Sequence, residues 1–376
     1  MTSDRPTVSP SAILCADWGK ENRKRVVYVA DVSARVVRRV DASAWSLGAV
    51  LAETERWART GPVLATFDLP LGVPESYLAG ARRVPVWRSS STFIEFLTYA
   101  YSMPQFFRST SRASDWKIEQ PFFSVPAGTG GLTSYRSAAS QQGINLYRDI
   151  DTVTRAKTLF ATSGIPGSVG SAACALWHEL GPWLSTNRAF KVWPFEGDLD
   201  VLLQTAPVVI GEIYPRAAYA TALLDGSAAS RAPLAVAKTD ANVRREAIAT
   251  LQAAEWVRQL GVTIANLTEA QANEDDFDAC MTAAALLRCT LVKLPLCPPT
   301  IPSSREEGGI LGTGSVDFAL AEQTFGKVSR GRVLRERGNR EAHADVAEGA
   351  RTFRCPIPGC DKVYTNARGG WDAHVG

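Results

Sequence analysis

The stretch ILCADWG, residues 13–19, sets the reading of the whole chain. Four apolar residues in a row, followed by the acid Asp17, are the mark of a buried strand with a charged group at its end. Moving outward, residues 25–31 (RVVYVAD) and 35–41 (RVVRRVD) are Val-rich runs with Asp and Ser between them, as two strands joined by a tight turn are. Residues 44–59 change period: Trp45, Leu47, Val50, Leu51 and Trp57 recur on or near one helical face, and Gly61-Pro62 stops the helix. Residues 63–68 (VLATFD) make a fourth strand, again ending in an acid, Asp68. A meander, a crossover helix and a further strand predict an α/β fold, its mixed sheet flanked by helices.

From 69 to 206 the pattern loosens. This stretch is dense in aromatics and arginines (Trp87, Phe106, Phe107, Arg108, Arg112, Trp116), is broken by glycines, and reads as a large insertion after the fourth strand. Such a mixture suits an ordinary packed subdomain, and equally a grip on unpaired bases and phosphates. Within it, Cys174 and His178 stand at i, i+4 and are expected to pack rather than bind a metal. Regular structure returns at 208–214 (VVIGEIY), a strand carrying Glu212 and closed by Pro215. Helices are expected over about 240–260, capped by Asp240 and stopped by Gly261, and over 274–292. Residues 1–10 read as a polar leader, 11–316 as the core, 317–352 as a charged linker or helix, and 353–376 as a separate small unit.

The bulk composition narrows the class. No apolar run in the 376 residues reaches the ~20 that a membrane helix needs, and no secretory h-region follows the N-terminus. The net charge of +3 is compatible with nucleic acid without arguing for it. Seven cysteines, odd in number and mostly scattered, argue against a disulfide framework and point to a reducing cytoplasm.

Three strands of one sheet are thus expected to end in acids: Asp17, Asp68 and Glu212. The helix at 274–292 adds Asp275 and Asp278, which share a face at i, i+3. Carboxylates gathered at one sheet end repel unless something cancels their charge, and a divalent cation with oxygen ligands, Mg²⁺ or Mn²⁺, does so.

This order of elements, with acids on the first strand, the fourth strand and a late helix, resembles the RNase H-like superfamily. The motifs ADWG (16–19), FDLPLGVP (67–74), SVGSAACALW (168–177), KVWPFEG (191–197), GEIYPRA (211–217), DFDACMTAAAL (276–286) and EGGILG (307–312) resemble the DUF429 family of predicted nucleases over roughly residues 11–316. The resemblance implies an RNase H-like mixed five-stranded sheet and a nuclease site of Asp17, Asp68, Glu212 and Asp278. In a two-ion mechanism Asp17 would bridge the ions, Asp68 and Asp278 would hold one each with Asp275 close by, and Glu212 would complete a shell or orient water. Arg155 and Lys157, in TRAKTLF, would offset charge on the scissile phosphate of DNA or RNA. Two other readings stand beside it. ADWG also suits the phosphate loop of an actin-like nucleotide-hydrolysing or phosphotransfer enzyme, and a core without catalysis would serve as a binding module.

The tail FRCPIPGCDKVYTNARGGWDAHVG (353–376) resembles a C₂H₂ zinc finger, with Cys355, Cys360 and His374 as candidate Zn²⁺ ligands and Tyr364 and Trp371 as its small core. The thirteen residues between Cys360 and His374 exceed the usual spacing by one, and a second histidine at finger spacing would fall past residue 376. A truncated finger is one expectation. A site completed by water or by an upstream group such as His343 is the other. An intact finger would imply nucleic acid or a protein partner.

Overall fold

Strand β1 (Ala12–Asp17) shows period-two alternation in its packing: Leu14 and Ala16 enter one core, Ile13 and Cys15 the core on the other face of the sheet. The computed structural model describes residues 9–126, 131–226, 230–297 and 301–326, together with strands at 344–347, 350–354 and 363–365. Residues 1–326 and 327–376 form two separate units.

The sheet of the first unit is built around β1. It pairs antiparallel with β2 (Val26–Asp31), which pairs antiparallel with β3 (Val36–Arg39). On its other side β1 runs parallel to β4 (Val63–Phe67). Three more strands follow in the chain: β5 (Phe190–Val192), β6 (Val208–Ile213) and β7 (Thr263–Ile264), and then β8 (Ile310–Leu311). The order is β7-β3-β2-β1-β4-β6, with β5 and β8 both lying along the far edge of β6. Among the described residues this is an eight-stranded, mostly parallel mixed sheet in which β2 alone runs against the rest. The five expected strands are all present. The three additional ones, two or three residues each, are too short to produce a readable period.

Helices cover both faces. On the Leu14 side lie α1 (Leu47–Trp57) and the insertion with its long helix α2 (Gly170–Thr186). The insertion's rings form core: Trp87, Phe106, Trp116, Phe122 and Phe123 are buried, while Arg108 and Arg112 face solvent. The Ile13 side is covered by α3 (Pro215–Leu223), α4 (Ala241–Ala253) and α5 (Glu274–Val292). Helix α5 starts where Asn273 accepts the Asp275 amide at 2.8 Å, and Glu274, Asp275 and Asp276 favour its positive N-terminal end. Its alanines let it lie close to the sheet, and burying Met281, Leu286 and Leu287 contributes about 1.5–3 kcal/mol each before entropy is counted.

The boundary expected at 316 falls at 326 instead, because Gln323–Phe325 pairs in parallel with Leu234–Val236. Part of the stretch expected as charged linker or helix is strand: Ala344–Ala347 pairs antiparallel with Ala350–Arg354, which pairs with Val363–Thr365. Cys355, Cys360, His374 and His343 lie outside the described residues. Of the other five cysteines, Cys15, Cys280 and Cys289 are buried free thiols. No helix among the described residues is long and apolar enough to cross a membrane.

Candidate metal centre

Asp17 ends β1 on the same face as Ile13 and Cys15, toward α5. Asp68 follows β4 directly, and its amide donates to the Ala16 carbonyl at 2.9 Å. That bond extends the β1–β4 ladder by one rung and sets Asp68 beside Asp17. Asp278, one turn into α5 and 1 % exposed, comes down onto the pair from above. One carboxylate oxygen from each of the three lies within 4.8 Å of the others. They sit at the carboxyl ends of two parallel strands, where open α/β sheets place their ligands.

Three acids this close, one buried and two half-buried, resist ionising together. Burial, and then repulsion from Asp278, pushes Asp68 up to about 8. Burial, followed by Asp68 and Asp278, holds Asp17 well above the ordinary carboxylate range. Burial also raises Asp278, although Lys238 and Tyr219 pull in the opposite direction.

Two neighbours that the sequence did not single out complete the cluster. The Tyr219 hydroxyl, on α3, donates to Asp278 Oδ1 at 2.5 Å, and the Lys238 ammonium pairs with Asp278 Oδ2. Burial disfavours charge on Lys238, but Asp278, Asp17 and Asp68 together outweigh it and raise its pKa. A signal for Tyr219 was available: a tyrosine on an alanine-rich, buried helix needs an acceptor for its hydroxyl. Lys238 had none, since VAKTD reads as a strand end before a helix cap.

The donor set fits a metal. All three acids offer hard oxygen ligands, and a cation already stands among them. Fully ionised, the three aspartates carry three negative charges, of which the one lysine offsets a single charge and a divalent ion in its place would offset two. The Asp17–Asp68–Asp278 cluster could therefore hold a metal ion.

The structure does not bring Glu212 into this group. Glu212 is in register with Phe67, whose ring belongs to the Leu14 face, so its side chain leaves the sheet on the opposite side from Asp17. There Arg148 of the insertion clamps it at 2.7 Å through both oxygens and holds Asp151 at 2.8 Å. Glu212 Oε2 also accepts the Leu71 amide at 2.8 Å. Burial raises the Glu212 pKa even though Arg148 lowers it. This is a buried ion pair that ties the insertion to the sheet.

Asp275 also stands outside the set of three. It is half-buried at the helix start, near enough for its charge to raise Asp17 and Asp278. Arg155 and Lys157 are exposed, just past the helix Asp149–Thr154 whose first turn Arg148 anchors to Glu212, and neither forms an ion pair among the described residues. Cys174 and His178 pack as expected: the thiol meets the Phe107 carbonyl at 3.3 Å and the imidazole lies edge-on to the Phe107 ring.

No family model matches the chain, and neither a curated protein nor a solved structure matches it.

Proposed function

We propose that the protein is a divalent-metal-dependent nuclease on an RNase H-like core, the activity implied by its resemblance to the DUF429 family. The carrying observation is the convergence of Asp17, Asp68 and Asp278, from two strands and a helix, to within 4.8 Å. The order β3-β2-β1-β4-β6 with β2 reversed supports the core assignment. Mg²⁺ or Mn²⁺ held there would supply Lewis-acid stabilisation of the attacking and leaving oxygens at a phosphodiester. Asp17, within 4.8 Å of both Asp68 and Asp278, would bridge the site. Tyr219 fixes the direction of the buried Asp278, while the half-buried Asp17 and Asp68 stay open to an incoming ion. Glu212 has no part in the chemistry; it positions the insertion. Nucleic acid is the proposed partner, with the 353–376 tail a second candidate contact, to nucleic acid or protein.

Cleavage of single- and double-stranded DNA and RNA, with Mg²⁺, Mn²⁺ or EDTA, tests this reading. Wild type is expected to cut only with metal, and Asp17→Asn and Asp68→Asn to lose about 100-fold or more. Equal cleavage by wild type and both variants would overturn it. ATP turnover without strand cleavage would transfer the site to the actin-like reading.

A further inference from the structure

Both carboxylate oxygens of Asp278 are already engaged, Oδ1 by Tyr219 and Oδ2 by Lys238. Each oxygen keeps a second lone pair, so the neutral Tyr219 hydrogen bond can stay while Asp278 binds a cation shared with Asp17 and Asp68. The Lys238 ammonium sets a full positive charge against the same carboxylate and must move aside for that cation. Tyr219 is 3 % exposed on a helix packed against α5, with its ring 5.8 Å from Phe277, and has nowhere to go. The Lys238 side chain is 35 % exposed, on the connection between Leu234–Val236 and α4. Its backbone is held at both ends: its amide donates to Val236 at 2.8 Å and its carbonyl accepts from the Arg244 guanidinium. The ammonium can therefore swing out while its tether keeps it at the mouth of the site.

We propose that Lys238 is a tethered counter-cation that holds the three acids together without metal, exchanges with the metal, and then contacts the nucleic-acid phosphodiester. The exchange follows from charge. An ammonium and a divalent ion on one carboxylate repel each other, and the half-exposed group on its four-carbon stem yields. The released lysine faces the one substrate group whose charge matches it, a phosphate oxygen. This rests on the metal-dependent reading above and adds a residue to it.

Titration calorimetry of Mn²⁺ into the full chain tests the exchange. Lys238→Met is expected to bind Mn²⁺ about tenfold tighter, ~1.4 kcal/mol, because its competitor is gone. Lys238→Arg keeps the charge and is expected to bind as wild type does, which separates loss of the cation from damage to the fold. With Ca²⁺ supplied to hold back turnover, Lys238→Met is expected to bind a fluorescent single-stranded oligonucleotide about tenfold more weakly. Unchanged or weaker Mn²⁺ binding by Lys238→Met overturns the exchange, and unchanged oligonucleotide affinity overturns the phosphate contact. Wild type that binds no Mn²⁺, with Asp68→Asn behaving identically, sinks the metal reading itself and the exchange with it, a pattern distinct from the other two.

Discussion

Replacing Arg148 with Met removes the cation that two buried carboxylates share. Arg148 and Asp151 are each 1 % exposed and Glu212 is 3 % exposed, so neither acid can recover hydration without opening the insertion. Breaking a buried ion pair from one side typically costs about 3–5 kcal/mol, a large part of the ~5–15 kcal/mol that holds a domain folded. At roughly 2–4 °C per kcal/mol the melting temperature should fall by roughly 6–20 °C. The loss should depend on pH with a definite sign. Burial already raises Glu212, and without Arg148 it rises further. A raised folded pKa means stability fully present below the unfolded value and lost as pH rises through the folded one. Arg148→Met should therefore approach wild type near pH 5 and fall away toward pH 8. Adding Asp151→Asn and Glu212→Gln removes the stranded charges and should restore part of the loss. Thermal and urea unfolding followed by circular dichroism measure all of this. Calorimetry on Glu212→Gln should meanwhile show Mn²⁺ affinity close to wild type. A stability change under ~1 kcal/mol in Arg148→Met, or Mn²⁺ binding weakened as much by Glu212→Gln as by Asp68→Asn, would refute the assignment of Glu212 to structure.

In the metal-free protein the raised Asp68, near 8, together with raised Asp17 and Asp278, makes ionisation costly, so the melting temperature should decline as pH rises from about 4 through 8. Excess Mn²⁺ should flatten that slope, and a slope unaffected by both Mn²⁺ and Asp68→Asn would refute it. Because ligands must shed protons to bind, calorimetric Mn²⁺ affinity should tighten by up to about tenfold per pH unit for each proton released as pH rises toward 8. Tyr219→Phe removes the hydrogen bond on Asp278 Oδ1 and should cost about 1 kcal/mol in unfolding and about 10-fold or more in metal affinity. Gly72→Ala should destabilise by more than about 1 kcal/mol in urea unfolding, since φ is +120° and a Cβ would stand 2.1 Å from the Glu307 carbonyl.

The readable part of the sequence was the part with long periods or strong composition. The runs 12–17, 26–31, 63–67 and 208–213 are apolar and bounded, and α5 carries its own cap and acids, so these elements and the placing of Asp17, Asp68 and Asp278 could be seen in advance. Strands of two or three residues, such as Thr263–Ile264 and Ile310–Leu311, have no period to detect and exist because a neighbour's edge is there to pair with. Lys238 was hidden for a related reason: it reaches Asp278 across 40 residues of chain by tertiary packing alone.

Glu212 shows where reading strand ends for function reaches its limit. An acid at the end of a central strand marks a sheet end, but a strand has two faces, and a single step in register decides which one an acid occupies. Asp68 follows Phe67 by one residue, and Glu212 is level with Phe67, so the two acids leave the sheet on opposite sides although both lie at the same end. Sequence supplies the end; only pairing supplies the face. On one face the acids meet other acids and a half-exposed lysine, a condition that suits a divalent ion. On the other, Glu212 meets a buried arginine that has no deprotonated state to retreat to, so the pair is fixed and serves architecture. The same residue type at the same sheet end is thus divided between a candidate metal site and a structural ion pair by which cation the opposite element provides.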